Sequence, residues 1–156
     1  MDIRVQQLQR LAQSTKSRHY QLVLVVGTAG AGKTKLLVDL CCTYGYTYVN
    51  LGTNLSEKLL PLSQQDVPTK VLPTIEEILN NTGKKTTVLD NTEILFEPTL
   101  QQDPLRLLQL VSRWRTVVAA WSGQFVAGRL IYARPGHPEY RSYSQVQALV
   151  YPLADQ

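Results

Sequence analysis

The sequence predicts a three-layer α/β domain built on a mostly parallel sheet. Three observations predict it. Short runs of β-branched and leucine residues alternate with stretches whose apolar residues recur at helical spacing. The first run, Leu22–Val26, is continuous enough for a strand covered on both faces. It passes directly into a glycine-rich turn, Gly27–Thr34, and then into an amphipathic helix, as a βα unit does. The 156 residues give room for one domain, 1–156, with its own core.

Each element has its own reason. Leu8, Leu11 and Ala12 fall at helical spacing and predict a short basic helix ahead of the core. Leu36, Leu37, Leu40 and Cys41 mark one face of the helix after the glycine turn, which should stop near Gly45. Tyr46–Leu51 reads as a second strand. Asn54 and Glu57 look like a helix start, with Leu55, Leu59 and Leu60 as its apolar side. The pattern then fails, and Pro61–Pro73 is expected to be a surface loop. Thr74 and Glu77 have capping-box spacing before Ile75, Ile78 and Leu79, and Gly83 should end that helix.

Thr86–Leu89 is the third strand, ending in Asp90. Asp103 and Pro104 supply an N-cap and a first-turn proline for a helix through Leu105, Leu107, Leu108 and Val111. Thr116–Trp121 and Arg129–Ala133 read as the fourth and fifth strands. Ser122–Gly128 is too short for a crossover helix, which predicts a C-terminal antiparallel hairpin. An edge strand around Val146–Val150 would complete the sheet. No helical lid domain is expected after the fifth strand.

Composition narrows the class. Charged residues, at 18%, are fewer than usual, and no apolar run approaches the ~20 residues of a membrane span. Met1–Arg10 lacks the order of a secretory signal, so a cytoplasmic location is expected. Cys41 and Cys42 are adjacent, which suits neither a disulfide framework nor metal-ligand spacing. His19 and His137 stand alone. The net charge of +4 is segregated: Arg4, Arg10, Lys16, Arg18, Lys33 and Lys35 face only Asp2 in the first 35 residues. Arg113, Arg115, Arg129, Arg134 and Arg141 face only Glu139 within 113–141. These cations could meet DNA or an acidic partner. Trp114 and Trp121 read as core or interface residues rather than base-stacking platforms.

The segment Gly27-Thr28-Ala29-Gly30-Ala31-Gly32-Lys33-Thr34 satisfies G-x-x-x-x-G-K-[ST] in full, between a strand and a helix. Such a loop turns successive N–H groups inward as a nest for phosphate oxygens, backed by the positive end of the helix. Lys33 should reach the β- and γ-phosphates, with Lys35 beside it, and Thr34 should ligate Mg²⁺. Asp90, at the end of the third strand, is the expected second magnesium ligand of a P-loop NTPase. The place after it, where hydrolysing relatives often carry Glu, holds Asn91, a poor proton acceptor. Glu93 is the nearest acid downstream. Hydrolysis is therefore expected to be slow or partner-dependent.

Ser122 sits where a sensor of the γ-phosphate would lie. Arg113 and Arg115 could act as arginine fingers in trans within an oligomer, or simply complement a helix dipole. The lack of an N-K-x-D guanine reader favours ATP. A small-molecule kinase would need an arginine-bearing lid, and Pro61–Pro73 offers only Lys70.

The segments GTAGAGKT, LDNTEILFEPTLQQDPLRLLQLVSRWRTVVAAWSG and GRLIYARPGHPEYRSY resemble BrxF, the small P-loop protein of type 3 BREX phage-defence systems. The likeness runs from about Leu24 to Tyr143, and LDNTEILF and RPGHPEYRSY are its most particular parts. The resemblance implies a compact AAA+-like (ASCE) core that binds ATP and Mg²⁺ through Gly27–Thr34 and Asp90. It also implies work alongside other BREX proteins, as an ATPase switch or a non-hydrolysing scaffold.

Overall fold

The computed structural model of the chain describes residues 2–83 and 86–154. Strand β1 (Leu22–Gly27) is buried along its whole length, as a strand with no polar alternation must be when both faces are covered. On one side it pairs with β4 (Val117–Ser122), and on the other with β8 (Leu149–Pro152). Outside β4 lie β3 (Thr87–Asp90) and then β2 (Thr47–Asn50), giving the order β2-β3-β4-β1-β8. All of these pairings are parallel.

Side chains alternate across this sheet and divide the interior into two cores. Leu22, Leu24 and Val26 pack with α3 (Leu51–Leu59), α4 (Val67–Asn80) and α5 (Pro104–Val111). Val23 and Val25 pack with α1 (Ile3–Ser14) and α2 (Lys33–Tyr44). The three layers are therefore two helices, the sheet, and three helices. Cys41 is buried in the second core, and Cys42 is exposed. Burial pushes the Cys41 thiol up to about 11.

Caps fix several boundaries. Gly45 closes α2 in the left-handed region (φ 71°) and donates its N–H to Cys41 O at 2.8 Å. Asp103 accepts from Arg106 N at 3.3 Å, with Pro104 in the first turn of α5.

Four expectations are corrected. Helix α3 starts at Leu51 rather than Asn54, because the Asn50 side chain caps it by accepting from Thr53 N at 3.1 Å. Leu51, Leu55 and Leu59 are its buried stripe. Most of the expected loop Pro61–Pro73 is the first half of α4, and Thr74 lies inside that helix, so no capping box forms there. Pro68 occupies the first turn, where no N–H is required, and Pro73 and Thr69 lie on the exposed side, where the carbonyl left unpaired meets water. The helix ends at Asn80, with Asn81 as its cap, ahead of Gly83.

The third correction concerns the hairpin. β4 is an interior parallel strand, and the antiparallel partner of β6 (Arg129–Tyr132) is a separate strand, β5 (Gln124–Val126). Ala127 and Gly128, both at positive φ, make the two-residue turn. β7 (Arg141–Tyr143) extends the hairpin to a three-stranded sheet. Last, the edge strand lies a little later than expected, at Leu149–Pro152, and it is parallel to β1. Beyond α5 the described residues form strands and turns only.

Gly123 is the joint between the two sheets. A Cβ there would lie 2.0 Å from Ile131 O, the same oxygen that accepts from Trp121 Nε1 at 3.1 Å. Trp121 is fully buried, and the rings of Phe96, Tyr132 and Tyr143 surround it. Gly123→Ala forces backbone apart, at about 1–3 kcal/mol or more. Calorimetry should show the unfolding midpoint falling by roughly 4–10 °C; an unchanged midpoint would mean that the sheets do not meet here so closely.

Candidate phosphate-binding site

The site lies at the C-terminal ends of β1, β3 and β4. β1 ends in Gly27, whose Cα pairs in register with Ser122. After it, Gly30 and Gly32 take φ of 84° and 95°, a conformation that L side chains resist, and the loop curls into the start of α2. The resulting cleft is about 340 Å³, and its walls are the glycine loop, Asp90, Asn91, Glu93 and Ser122.

Lys33 is the unusual member. It is a buried lysine, 8% exposed, whose ammonium donates to Gly27 O at 2.7 Å and Thr28 O at 2.9 Å. Among the described residues no ion pair reaches it; those formed involve Arg4, Lys35, Lys58 and Arg115. Burial lowers its pKa, and the nearby Glu93 and Asp90 partly offset that. A buried cation without a contacting carboxylate calls for an anion.

Asp90 is 2% exposed and fully engaged. Its Oδ2 accepts from Thr34 Oγ1 at 2.7 Å and from the Tyr48 hydroxyl at 2.6 Å, while Oδ1 accepts from Asn91 N at 2.9 Å. Burial first, and then the Asp90 carboxylate, push the Tyr48 hydroxyl well above the ordinary phenol range, so it stays a donor. Thr34 and Asp90 thus bring two hard oxygens together. No group of three or more His, Cys, Asp or Glu among the described residues could cage a metal. This donor pair fits Mg²⁺, which keeps waters and takes phosphate oxygens as its remaining ligands.

Asn91 is left-handed (φ 55°), a conformation that Asn tolerates, and it packs against Gly52. A Cβ on Gly52 would sit 3.2 Å from Asn91 O. Thr92 then donates to Ala120 O at 2.5 Å and pins the following turn to β4. That turn aims Glu93 at the cleft, where Ser122 Oγ donates to its carboxylate.

The structure therefore brings Gly27–Thr34, Asp90, Asn91, Glu93 and Ser122 together. Lys35 stays at the rim, its side chain 81% exposed and paired with Asp39 at 3.0 Å. Arg113 and Arg115 precede β4 and so lie at the opposite edge of the sheet, away from the cleft of their own chain. Tyr48, Gly52 and Thr92 were missed. None belongs to a motif, and Tyr48 meets Asp90 only because β2 pairs with β3 in register, Asn50 beside Asp90.

No family model matches the chain. No curated protein matches it either. Among solved structures, the C. elegans PCH-2 structure aligns with a TM-score of 0.49 at 14% identity. The alignment covers 97% of this chain, which spans 42% of the length of that one, and a likeness of this size carries no argument. No helix among the described residues is long and apolar enough to cross a membrane.

The Tyr48–Asp90 bond yields a prediction. Removing a hydrogen bond to a buried carboxylate costs about 1.5–3 kcal/mol. If the cleft takes a nucleotide with Mg²⁺, Tyr48→Phe should raise the Mg²⁺ concentration needed for binding about tenfold, with Mg²⁺-free binding unchanged. Equal magnesium titrations for variant and wild type would show that Tyr48 does not position Asp90.

Proposed function

We propose that the chain binds Mg·ATP in this cleft and acts as a nucleotide switch with slow or partner-stimulated hydrolysis. The single observation that carries the reading is Lys33, a buried ammonium without a counter-ion, set in a glycine loop that faces Thr34 and Asp90. The N–H groups of Gly30–Thr34 bind the phosphates, and Lys33 turns from the Gly27 and Thr28 carbonyls towards them. Mg²⁺, when bound, neutralises charge on the β- and γ-phosphates. Thr34 and Asp90 hold that ion, and Tyr48 keeps Asp90 in place. The parallel sheet order, with β4 between β1 and β3, supports an AAA+-like core.

Glu93 is the group we assign to the attacking water, because among the described residues lining the cleft only it and Asp90 carry carboxylates. Asn91 can orient a water but cannot take its proton. Ser122 donates to the Glu93 carboxylate, which fixes its orientation and occupies part of its accepting capacity while leaving lone pairs for a water. With Asn91 in the place of the usual acid, this supports slow turnover, and it equally favours a second reading in which nucleotide is bound as a scaffold without hydrolysis.

The biological setting we propose is a type 3 BREX phage-defence system, with other BREX proteins as partners and nucleotide-dependent self-association. It rests on the sequence resemblance. LDNTEILF forms the Asp90–Glu93 wall of the cleft. RPGHPEYRSY ties the small sheet to the start of α5, through Arg141 to Gln102 O at 2.9 Å and Tyr143 to Asp103 at 2.6 Å.

Light scattering after size exclusion, with and without Mg·ATP, together with phosphate release, tests the reading. Wild type should bind Mg·ATP, and Lys33→Ala should bind it about 10–100-fold more weakly. Glu93→Gln should keep binding and lose phosphate release at least about tenfold, the scale of a general base. Binding with no release in either protein favours the scaffold. No binding by wild type ends both readings.

A further inference from the structure

At the other edge of the sheet, where β3 and β4 begin, lies a larger cleft of about 940 Å³. Among the described residues, Lys16 and Arg115 line it, and Glu76 pairs with Arg115 from outside the lining. Arg115 is held by Asn80 Oδ1 at 2.8 Å and Glu76 at 3.5 Å, yet its Nη1 is shut from water without a hydrogen-bond partner. The Tyr46 hydroxyl, which lines the same cleft, is in the same condition. Two buried donors without acceptors in one place call for an explanation.

Trp114 stands at the rim, 81% exposed. The sequence suggested a core or interface residue, and it is the most exposed tryptophan in the chain. The Arg113 guanidinium lies 4.3 Å over its ring and is itself fixed by a hydrogen bond to His19 O at 3.0 Å. One face of the indole is thus covered and its orientation set, while the other is open to a planar group. The remaining lining is rich in amides and hydroxyls, among them Gln13, Gln21 and Thr116.

We propose that this cleft binds single-stranded nucleic acid, independently of the ATP site. Phosphates lie on Lys16 and Arg115, a base stacks on the free face of Trp114, and the amides meet base edges. Cations beside an exposed aromatic ring are what a sequence-tolerant single-strand site needs. A duplex has no unstacked base to offer the indole. An acidic protein could meet the same cations but has no base to stack on the open face of the indole, and the test below separates the two.

Fluorescence anisotropy with a labelled oligothymidine of about ten nucleotides tests the proposal. Wild type should bind in low salt, weaken steeply as salt rises, and show quenched tryptophan emission. Trp114→Ala, an exposed change that leaves the unfolding midpoint and ATP binding alone, should lose at least about tenfold in affinity and all of the quenching. Lys16→Glu should lose affinity and flatten the salt dependence. Duplex of the same length should bind more weakly. Equal binding by Trp114→Ala overturns the proposal, as does displacement by poly-glutamate at concentrations matching the oligonucleotide, which would assign the cleft to an acidic protein. Failure of wild type to bind the oligonucleotide overturns it too, and leaves the ATP reading standing if Mg·ATP still binds.

Discussion

Everything at the phosphate site depends on keeping one ammonium group out of water without giving it a carboxylate. Lys33 is held by two main-chain carbonyls, and these satisfy hydrogen bonds without cancelling charge. The glycines at 30 and 32 permit this, since only at positive φ can the loop curl tightly enough to enclose the side chain. The nearby carboxylates of Asp90 and Glu93 act on it at a distance, but each makes its hydrogen bonds elsewhere and neither touches it. Asp90 is bound by Thr34, Tyr48 and its own neighbour's N–H, and Glu93 by Ser122. The ammonium therefore has no contacting counter-ion, and the proposed polyphosphate would supply one.

The sheet order makes that arrangement possible. With β4 inserted between β1 and β3, the glycine loop and Asp90 are separated by one strand's width, across which Thr34 still reaches the carboxylate. The inserted strand ends in Ser122, which lands between them. The same strands begin at the second cleft. β3 and β4 therefore join the two sites directly, and the fully buried Trp121 anchors the small sheet beside that path.

Much of this was legible in the sequence. The P-loop, β1, α2 and the Asp103 cap follow from local chemistry, because each is specified by residues within one turn or strand. Errors came where tertiary context overrode a local signal. The prolines at 68 and 73 read as loop markers, yet one fits a helix start and the other an exposed helix face. Thr74 and Glu77 had the right spacing for a cap in the middle of that helix. Asn50 was hidden as a cap because the strand and helix it joins share no linker. The β4–β6 hairpin was misread since the close approach at Gly123 depends on Ile131, which no local pattern reveals. Within the site, Asp90 and Thr34 were visible, whereas Tyr48 required knowing the register of β2 on β3.

The most direct measurement is the thermal midpoint of wild type and Lys33→Met, each with and without Mg·ATP. A buried charge awaiting an anion should cost the free protein stability, so its replacement by an isosteric apolar chain should leave the free midpoint the same or higher. Wild type should gain stability with nucleotide as mass action requires, about 2.7 kcal/mol at a hundredfold excess over Kd, and the variant, binding about 10–100-fold more weakly, should gain only about 0.4–1.4 kcal/mol at that concentration. A free variant several degrees less stable, or one that Mg·ATP stabilises as much as wild type, would contradict the account.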